Sequence, residues 1–565
     1  MSNNLMIKRN LTPIAAMLLS LPLAAMAAPP PVVVPGAGSI LQQVQPVVPS
    51  TPSTDATGLK LAPQGASNLP QSAPFTVSAI TISGNTIFDV NTLHSLVMNA
   101  EGQQLTLEDI GKLATRISDY YHSHGYPLSR AIVPAQTIHA GIVQIEVIEA
   151  RYGKIALDNR SRVNDSLLQA TTARLQSGQP VEQTQLNRSL LLLSDIPGVG
   201  ISATMQAGQE VGSSDLEIQT AETTFVNGNV TADNDGNRYT GRERIGGNVS
   251  LVDPLHHGDV LNVSVLSTGS DMNYGSVSYD FLLDGSGTRL GGNYSALHYI
   301  LGDNLSALDG HGTADVGSVW AKHPFIRSQD VNVYAQVQYD NKQLKDQLDS
   351  SSIFTDRTIS DWSVSASGDW RDTFLSGGVN SWNLGVTSGR VGFDNAAAQT
   401  SDAATAKTQG NFVKWNANLV RLQNLSPTNW LYVSLTSQYA NSNLDSAEKM
   451  VAGGAYTVRA YDMGVLSGDT GYLGTAEVRH NLGALWAGQW QAIAFVDSEH
   501  ITVNRNTWTT GENAATLSGA GAGLNWVGAD QWSANLYVAA PLGTTPALLT
   551  GDRSVRAWAQ ISKGF

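Results

Sequence analysis

Over much of the last three-fifths of the chain, apolar and polar residues alternate with a period of two. Val331, Val333, Ala335, Val337 and Tyr339 share one face, and Asn332, Tyr334, Gln336, Gln338 and Asp340 the other. Val277, Tyr279, Phe281 and Leu283 oppose Ser276, Ser278 and Asp280. Leu261, Val263 and Val265 oppose Asn262 and Ser264, and Trp532, Ala534, Leu536 and Val538 oppose Ser533, Asn535 and Tyr537. Successive strand side chains point to opposite faces, so this period predicts strands. No convincing amphipathic helix interrupts residues 225–565, and Gly, Asn and Asp punctuate the segments. A soluble β-sandwich alternates too, so the period alone does not choose. Segments of about ten residues, aromatics near their ends and a largely uncharged polar face favour a membrane barrel. Lipid leaves no water to pair backbone groups, so such a sheet must close on itself. At roughly 21 residues per strand and connection, residues 225–565 make about 16 strands. A barrel of that size encloses an aqueous lumen. Val555, Ala557, Ala559 and Ile561 alternate outward toward Phe565, with Lys563 on the same face at the level where its head reaches water.

The first half has a different texture. Residues 1–27 read as a signal peptide: Lys8 and Arg9, an apolar stretch over 11–23, then Ala25-Met26-Ala27. Residues 28–74 are rich in proline and carry only Asp55 and Lys60 as charges, which predicts an extended linker. Within it, residues 36–46 hold Ser39, a possible N-cap, and Ile40, Leu41 and Val44 at helical spacing. That helix is too short to stand alone and needs a docking site; plain linker is the alternative.

From residue 75 a β-α-α-β-β order is predicted: a strand over 75–82, a helix capped by Asp89, and a second helix opened by Thr106 and Asp109 in a capping box. Strands around 129–133 and 142–149 follow. The pattern recurs with a strand over 152–157, helices from Asp165 and from Val181-Glu182, and strands over 199–206 and 215–220. A repeated supersecondary unit predicts a tandem array. The boundaries are thus 1–27, 28–74, 75–150, 151–222 and 223–565. The fold class is mainly β: a C-terminal 16-stranded antiparallel transmembrane barrel behind two small α+β domains.

Composition narrows the chemistry. Of 565 residues, 33 are basic and 47 acidic, a net charge of −14, and there is no cysteine. That excludes disulfide scaffolds, thiolate metal sites and thiol nucleophiles, and argues against nucleic acid as a partner. No GxSxG elbow, P-loop or HExxH occurs. The expectation is no catalytic residues, no cofactor and no metal. His122, His124, His256 and His257 lack a ligand constellation. Gly519-Ala520-Gly521-Ala522-Gly523 lies in a strand-like context, where glycine relieves crowding in a barrel wall.

Several segments resemble a known family. Tandem β-α-α-β-β modules behind a signal peptide resemble POTRA domains. Gly125-Tyr126-Pro127-Leu128 with Val147-Ile148-Glu149-Ala150-Arg151 is similar to the first POTRA domain of two-partner secretion transporters, and Leu193-Ser194-Asp195-Ile196-Pro197-Gly198-Val199 to the second. Residues 230–241 resemble the opening hairpin of their barrels, and 35–43 their N-terminal plug helix. Gly453-Gly454-Ala455-Tyr456-Thr457-Val458-Arg459-Ala460-Tyr461-Asp462 resembles the sixth extracellular loop of the Omp85 superfamily, with Ala460 in place of a glycine. Phe495-Val496-Asp497-Ser498-Glu499 is similar to its Phe-x-Asp-x-Gly strand, with Glu499 in place of the glycine.

A guanidinium on a loop folded into a lumen needs an acidic partner, and the alternation places Asp497 on the lumen face. By spacing alone, Arg459 and Asp497 could equally be two unrelated solvated charges. The resemblance implies a loop-lumen lock of Arg459, Asp497, Tyr461, Val458 and Phe495, and a plug helix carrying Ser39, Ile40, Leu41 and Val44. It further implies an outer-membrane pore of the haemolysin secretion/activation type in a Gram-negative bacterium. Such a pore exports one large unfolded partner, captured by the periplasmic POTRA domains, without ATP. Outer-membrane lipids and the outer-membrane assembly machinery are the other implied partners. An Omp85-type insertase and a passive porin with periplasmic domains are the alternative functions.

Overall fold

The structure is a computed structural model that describes residues 34–44, 59–61, 71–549 and 554–565. The expected signal peptide and most of the proline-rich segment lie outside the described residues.

The first small domain pairs Ala79–Ser83 in parallel with Ile142–Ile148, which pairs antiparallel with Arg130–Ile132. The strand expected over 75–82 is broken in two. Phe75–Thr76 pairs with Gln104–Leu105, while Val77 and Ser78 donate their amides to Gln103 and Gly141 before Ala79–Ser83 joins the main sheet. Helix α1 (Ala37–Val44) precedes this domain, which itself carries α2 (Val90–Ser95) and the longer α3 (Leu107–Ser123). Asp89 caps α2 by accepting from the Asn91 amide, and Thr106 and Asp109 form the capping box of α3. α3 buries Ile110, Leu113, Ile117 and Tyr121 against the sheet.

Glu149 holds this domain together at its junction with the next. It is 7% exposed and accepts from the Thr86 amide at 2.6 Å, the Ile87 amide at 2.7 Å and the Tyr121 hydroxyl at 2.9 Å. Arg151 closes on it at 3.3 Å. Burial pushes the carboxyl up, but the donors from Thr86, Ile87 and Tyr121 outweigh it and hold Glu149 below the ordinary range. A depressed carboxyl contributes stability above its unfolded pKa and loses it as pH falls through the folded one. Glu149→Gln is expected to cost about 2–3 kcal/mol near neutral pH, and the difference from wild type to shrink below about pH 4. Hydrogen exchange at the Thr86 and Ile87 amides, followed against pH, checks this.

The second domain has α4 (Asp165–Thr172) and α5 (Gln183–Ser194) against a four-stranded sheet. The sheet order is Leu59–Leu61, Val199–Ala207, Ser213–Glu222, Arg151–Asp158. The outermost strand comes from the proline-rich segment. It runs parallel to Val199–Ala207, with Leu59 opposite Ala203 and Lys60 opposite Thr204.

Sixteen strands, from Val226–Asp233 to Arg556–Gly564, close an antiparallel barrel. The ring is sealed by five pairs, Asn229↔Gly564 through Asp233↔Gln560. Among the described residues no helix is long and apolar enough to cross a membrane, which says nothing of strands. Outward apolar side chains are exposed, among them Val331, Val337, Trp362, Val364, Leu384 and Val386. Strand length departs from the expected ten residues: Val331–Leu348 has 18 and Ile353–Asp372 has 20. The outward face explains it. Beyond Tyr339 that face reads Asn341, Gln343, Lys345 and Gln347, so the strand leaves the apolar band and continues into water.

Candidate functional site: an occluded lumen

Two elements occupy the barrel interior at the end away from the small domains. One is the loop over 441–469, the other is α1.

The loop returns as a small hairpin, Met450–Ala452 paired with Leu466–Gly468. Its turns use positive φ at Gly453 (83°), Gly454 (121°) and Gly464 (67°). Ala460 at the tip has ordinary φ, so the replaced glycine is not needed there for conformation. The close approach lies instead across the gap, at Gly519, where a Cβ would collide with the Ala460 methyl. The barrel wall carries the glycine that the loop lacks.

That approach places Arg459 on the lumen wall. Its Nε lies 2.8 Å from Asp497 Oδ2 and its Nη2 2.7 Å from Asp497 Oδ1, a forked pair. Its amide also donates to Asp497 Oδ2 at 3.2 Å. The guanidinium stacks 3.4 Å over the Phe495 ring. Arg459 and Asp497 are 5% and 0% exposed, and Val458 and Tyr461 are buried beside them. The five residues expected to meet therefore share one cluster.

Three contributors escaped the sequence reading. Glu477 accepts from Arg459 Nη1 at 2.7 Å and is itself held by Arg479 at 2.6 Å. Thr475, opposite Asp497 in the register, donates to its Oδ1 at 3.1 Å. Trp558 donates its indole N–H to the Arg459 carbonyl at 2.7 Å. The signal for Glu477 was available, since it is a charge on the lumen face of a strand adjoining Asp497. Glu499 is fully buried between Leu473 and Leu517 in the register. Asp462, just past the tip, pairs with Arg242 at 2.7 Å and Arg556 at 2.9 Å, so it links the first hairpin of the barrel to its last strand.

α1 lies beside the loop. Ile40, Leu41 and Val44 enter a cluster with Leu297, Tyr299, Leu344, Ile359 and Phe412 of the wall and Leu444 and Ala447 of the loop. The helix begins earlier than expected, at Ala37, so Ser39 is inside it and is not its N-cap. The Ser39 hydroxyl donates back to the Gly36 carbonyl at 2.9 Å. The cap is supplied from the wall, where Asp346 Oδ1 accepts from the Ala37 amide at 2.6 Å. Arg357 joins Asp346 at 2.6 Å to Asp445 of the loop at 2.5 Å. Gln42 donates to the Ala447 carbonyl, and any Cβ on Gly38 would meet the Ala447 amide.

Burying Ile40, Leu41 and Val44 contributes roughly 4–9 kcal/mol in all. Ordering eight residues costs about 8–16 kcal/mol. Apolar burial alone does not offset that, so the helix is held by a small margin that its polar contacts decide.

His122 and His124 bond backbone carbonyls of Ser129 and Tyr120, and no cluster of metal-ligating side chains occurs among the described residues. Gly521 and Gly523 give room to the Phe495 and Tyr537 rings.

A closed lipid-facing barrel, fronted by two small α+β domains and blocked from within, defines an outer-membrane protein-translocating pore. The chain belongs to the family of haemolysin secretion/activation proteins ShlB/FhaC/HecB, which matches residues 212–526, and residues 75–150 match the ShlB-type POTRA domain. It is a two-partner secretion transporter that exports a partner protein across the Gram-negative outer membrane, with its POTRA domains in the periplasm. It is 26% identical to the heme/hemopexin transporter protein HuxB of Haemophilus influenzae (strain 86-028NP) over 83% of this chain and 84% of that one. It is 25% identical to the outer membrane transporter CdiB of Dickeya dadantii, over 87% of each. Among solved structures, CdiB from Escherichia coli superposes with a TM-score of 0.69 at 21% identity, covering 89% of this chain and 93% of that one, which shows the shared fold.

Proposed function

We propose that the resting transporter is kept shut by two internal elements, α1 and the loop tip, and that export proceeds only after both leave the lumen. The contact carrying this reading is the forked Arg459–Asp497 pair, buried and backed by Glu477 and Phe495. A charged pair out of water holds firmly while both partners are present and fails when one is withdrawn. The residues supply electrostatics and packing, which suits a protein of a transporter family that acts by moving parts. Folding of the exported partner outside the cell gives the direction, in the absence of any nucleotide-binding motif.

Capture of the unfolded partner falls to the POTRA domains. A sheet edge takes an extended chain by main-chain hydrogen bonds and tolerates varied sequence. On the second POTRA domain the Val199–Ala207 edge is filled by Leu59–Leu61, from the segment that joins α1 to the first POTRA domain. The incoming strand and the linker strand compete for that edge. Lys60→Cys with Thr204→Cys, opposed in the register, is expected to block export when oxidised and to restore it on reduction. Surface immunoblotting of the exported partner measures both states. Undiminished export from the oxidised form would remove the edge from the mechanism. Insertion by the outer-membrane assembly machinery completes the set of partners.

A further inference from the structure

The second POTRA domain does not meet the barrel flush. Between α4, α5 and the turn that joins Met272–Leu282 to Arg289–Ile300 lies a cleft of about 590 Å³. The turn is seated tightly on one side, where a Cβ on Gly285 would strike the Ala170 carbonyl and one on Gly287 would strike Leu192 and Pro324. On the other side Arg174 and Arg188 line the cleft with Gln176, Gln179 and Gln185. Arg188 spends two of its five N–H donors on the carbonyls of Pro324, at 2.9 Å, and Phe325, at 3.2 Å. Neither guanidinium forms an ion pair among the described residues. Burial, and then the charge of Arg174, lower the Arg188 guanidinium from its ordinary value, so the two cations repel.

The one lining carboxylate, Asp284, is already engaged. It accepts from the Ser286 amide at 2.9 Å and hydroxyl at 2.7 Å, and from the Thr288 amide at 3.1 Å and hydroxyl at 2.8 Å. In a chain of net charge −14, two unpaired arginines meeting in a donor-rich cleft are out of keeping with their surroundings. An anion between them removes the repulsion and uses their remaining donors. The cleft opens at the periplasmic rim, beside Leu283 and Phe325, which are 52% and 62% exposed. At that level the bilayer offers a phosphate joined to apolar chains.

We propose that this cleft binds the headgroup phosphate of a periplasmic-leaflet phospholipid, with Arg174 and Arg188 on the phosphate oxygens and the acyl chains along Leu283 and Phe325. The lipid then staples the second POTRA domain to the membrane surface. Delipidated full-length transporter in detergent, titrated with dihexanoyl-phosphatidylglycerol and read by native mass spectrometry, tests it. The wild type is expected to take one saturable lipid. Arg174→Gln, which breaks no contact between α5 and the barrel, is expected to weaken binding about tenfold, and Arg174→Gln/Arg188→Gln to abolish it. Arg174→Lys is expected to retain most of the affinity. Heat-modifiable migration of the barrel confirms that each variant is folded. Inorganic phosphate that displaces the lipid at equal concentration would assign the cleft to a free anion and overturn the lipid reading. Unchanged binding by the double variant would overturn the site itself, as would equal binding of a phosphate-free diacylglycerol.

Discussion

Arg459→Ala is expected to bring export of the partner to background while the barrel still assembles in the outer membrane. The substitution leaves Asp497 buried without its cation and Glu477 with Arg479 alone, and stranding a buried charge costs about 3–5 kcal/mol. The loop tip then loses its seat on the wall and is expected to lie unanchored across the lumen, in the path of the exported chain, so export stops although the latch is gone. Arg459→Lys keeps the charge but not the fork, so it reaches one carboxylate at a time and restores only part of the activity. Asp497→Ala is expected to match Arg459→Ala, whereas Thr475→Ala, which removes one hydroxyl bond to the Asp497 carboxylate and leaves the forked pair in place, costs about 1.5–3 kcal/mol. Secreted partner in the medium measures function, and protease nicking at residues 453–462 reports the position of the tip. Loss of export alone does not establish contact between the two positions, so a covalent reporter is needed. Cysteines at 459 and 497 are expected to form a disulfide in the folded barrel, because the Arg459 amide already lies 3.2 Å from the Asp497 side chain. Wild-type export by Arg459→Ala, or failure of that bond in an assembled barrel, would refute the pairing.

Ile40→Asp/Leu41→Asp is expected to open the pore. Both side chains are 1% exposed, among Leu344, Ile359 and Phe412, and a carboxylate there has no partner. The cost of each, several kcal/mol, exceeds the small margin that holds α1 in place. Planar-bilayer recordings are expected to show a large rise in conductance over wild type, and cells to become sensitive to large hydrophilic antibiotics. Asp346→Asn is the milder test. It keeps an acceptor for the Ala37 amide but weakens the Arg357 link, so intermittent openings are expected in place of a standing one. Unchanged conductance in the double aspartate variant would show that α1 does not obstruct the lumen.

How much of this was legible depended on the range of the interaction. Period two along 331–339 or 277–283 is a local property, and it announces strands whatever they pack against. The capping box at Thr106 and Asp109 is local too. The end of the lipid band was equally readable, in the change from Tyr339 to Asn341 on one face. Contacts between distant segments were another matter. Nothing in Leu59-Lys60-Leu61 marks an edge strand, because its partner at 203–205 lies far along the chain. Glu477 is readable as a lumen-face charge from its own strand, but its place beside Asp497 depends on register, which is not written in either strand alone. The Arg459–Asp497 pairing was expected only through family resemblance; charge and spacing left it as open as any two lumen charges. Gly519 reads as a wall glycine until the loop is in place against it. Ser39 misled because a serine before an apolar run imitates a cap, whereas the true cap, Asp346, comes from 309 residues away.

The abutment of Gly38 on Ala447 has a mechanical consequence. With no side chain between them, and with Arg357 gripping both the residue that caps the helix and the limb of the loop, neither obstruction can shift while the other stays rigid. The two barriers amount to a single bolt with two ends. On the proposed gating, a partner that works the helix end free also loosens the loop, so the channel is expected to pass from sealed to clear in one cooperative step.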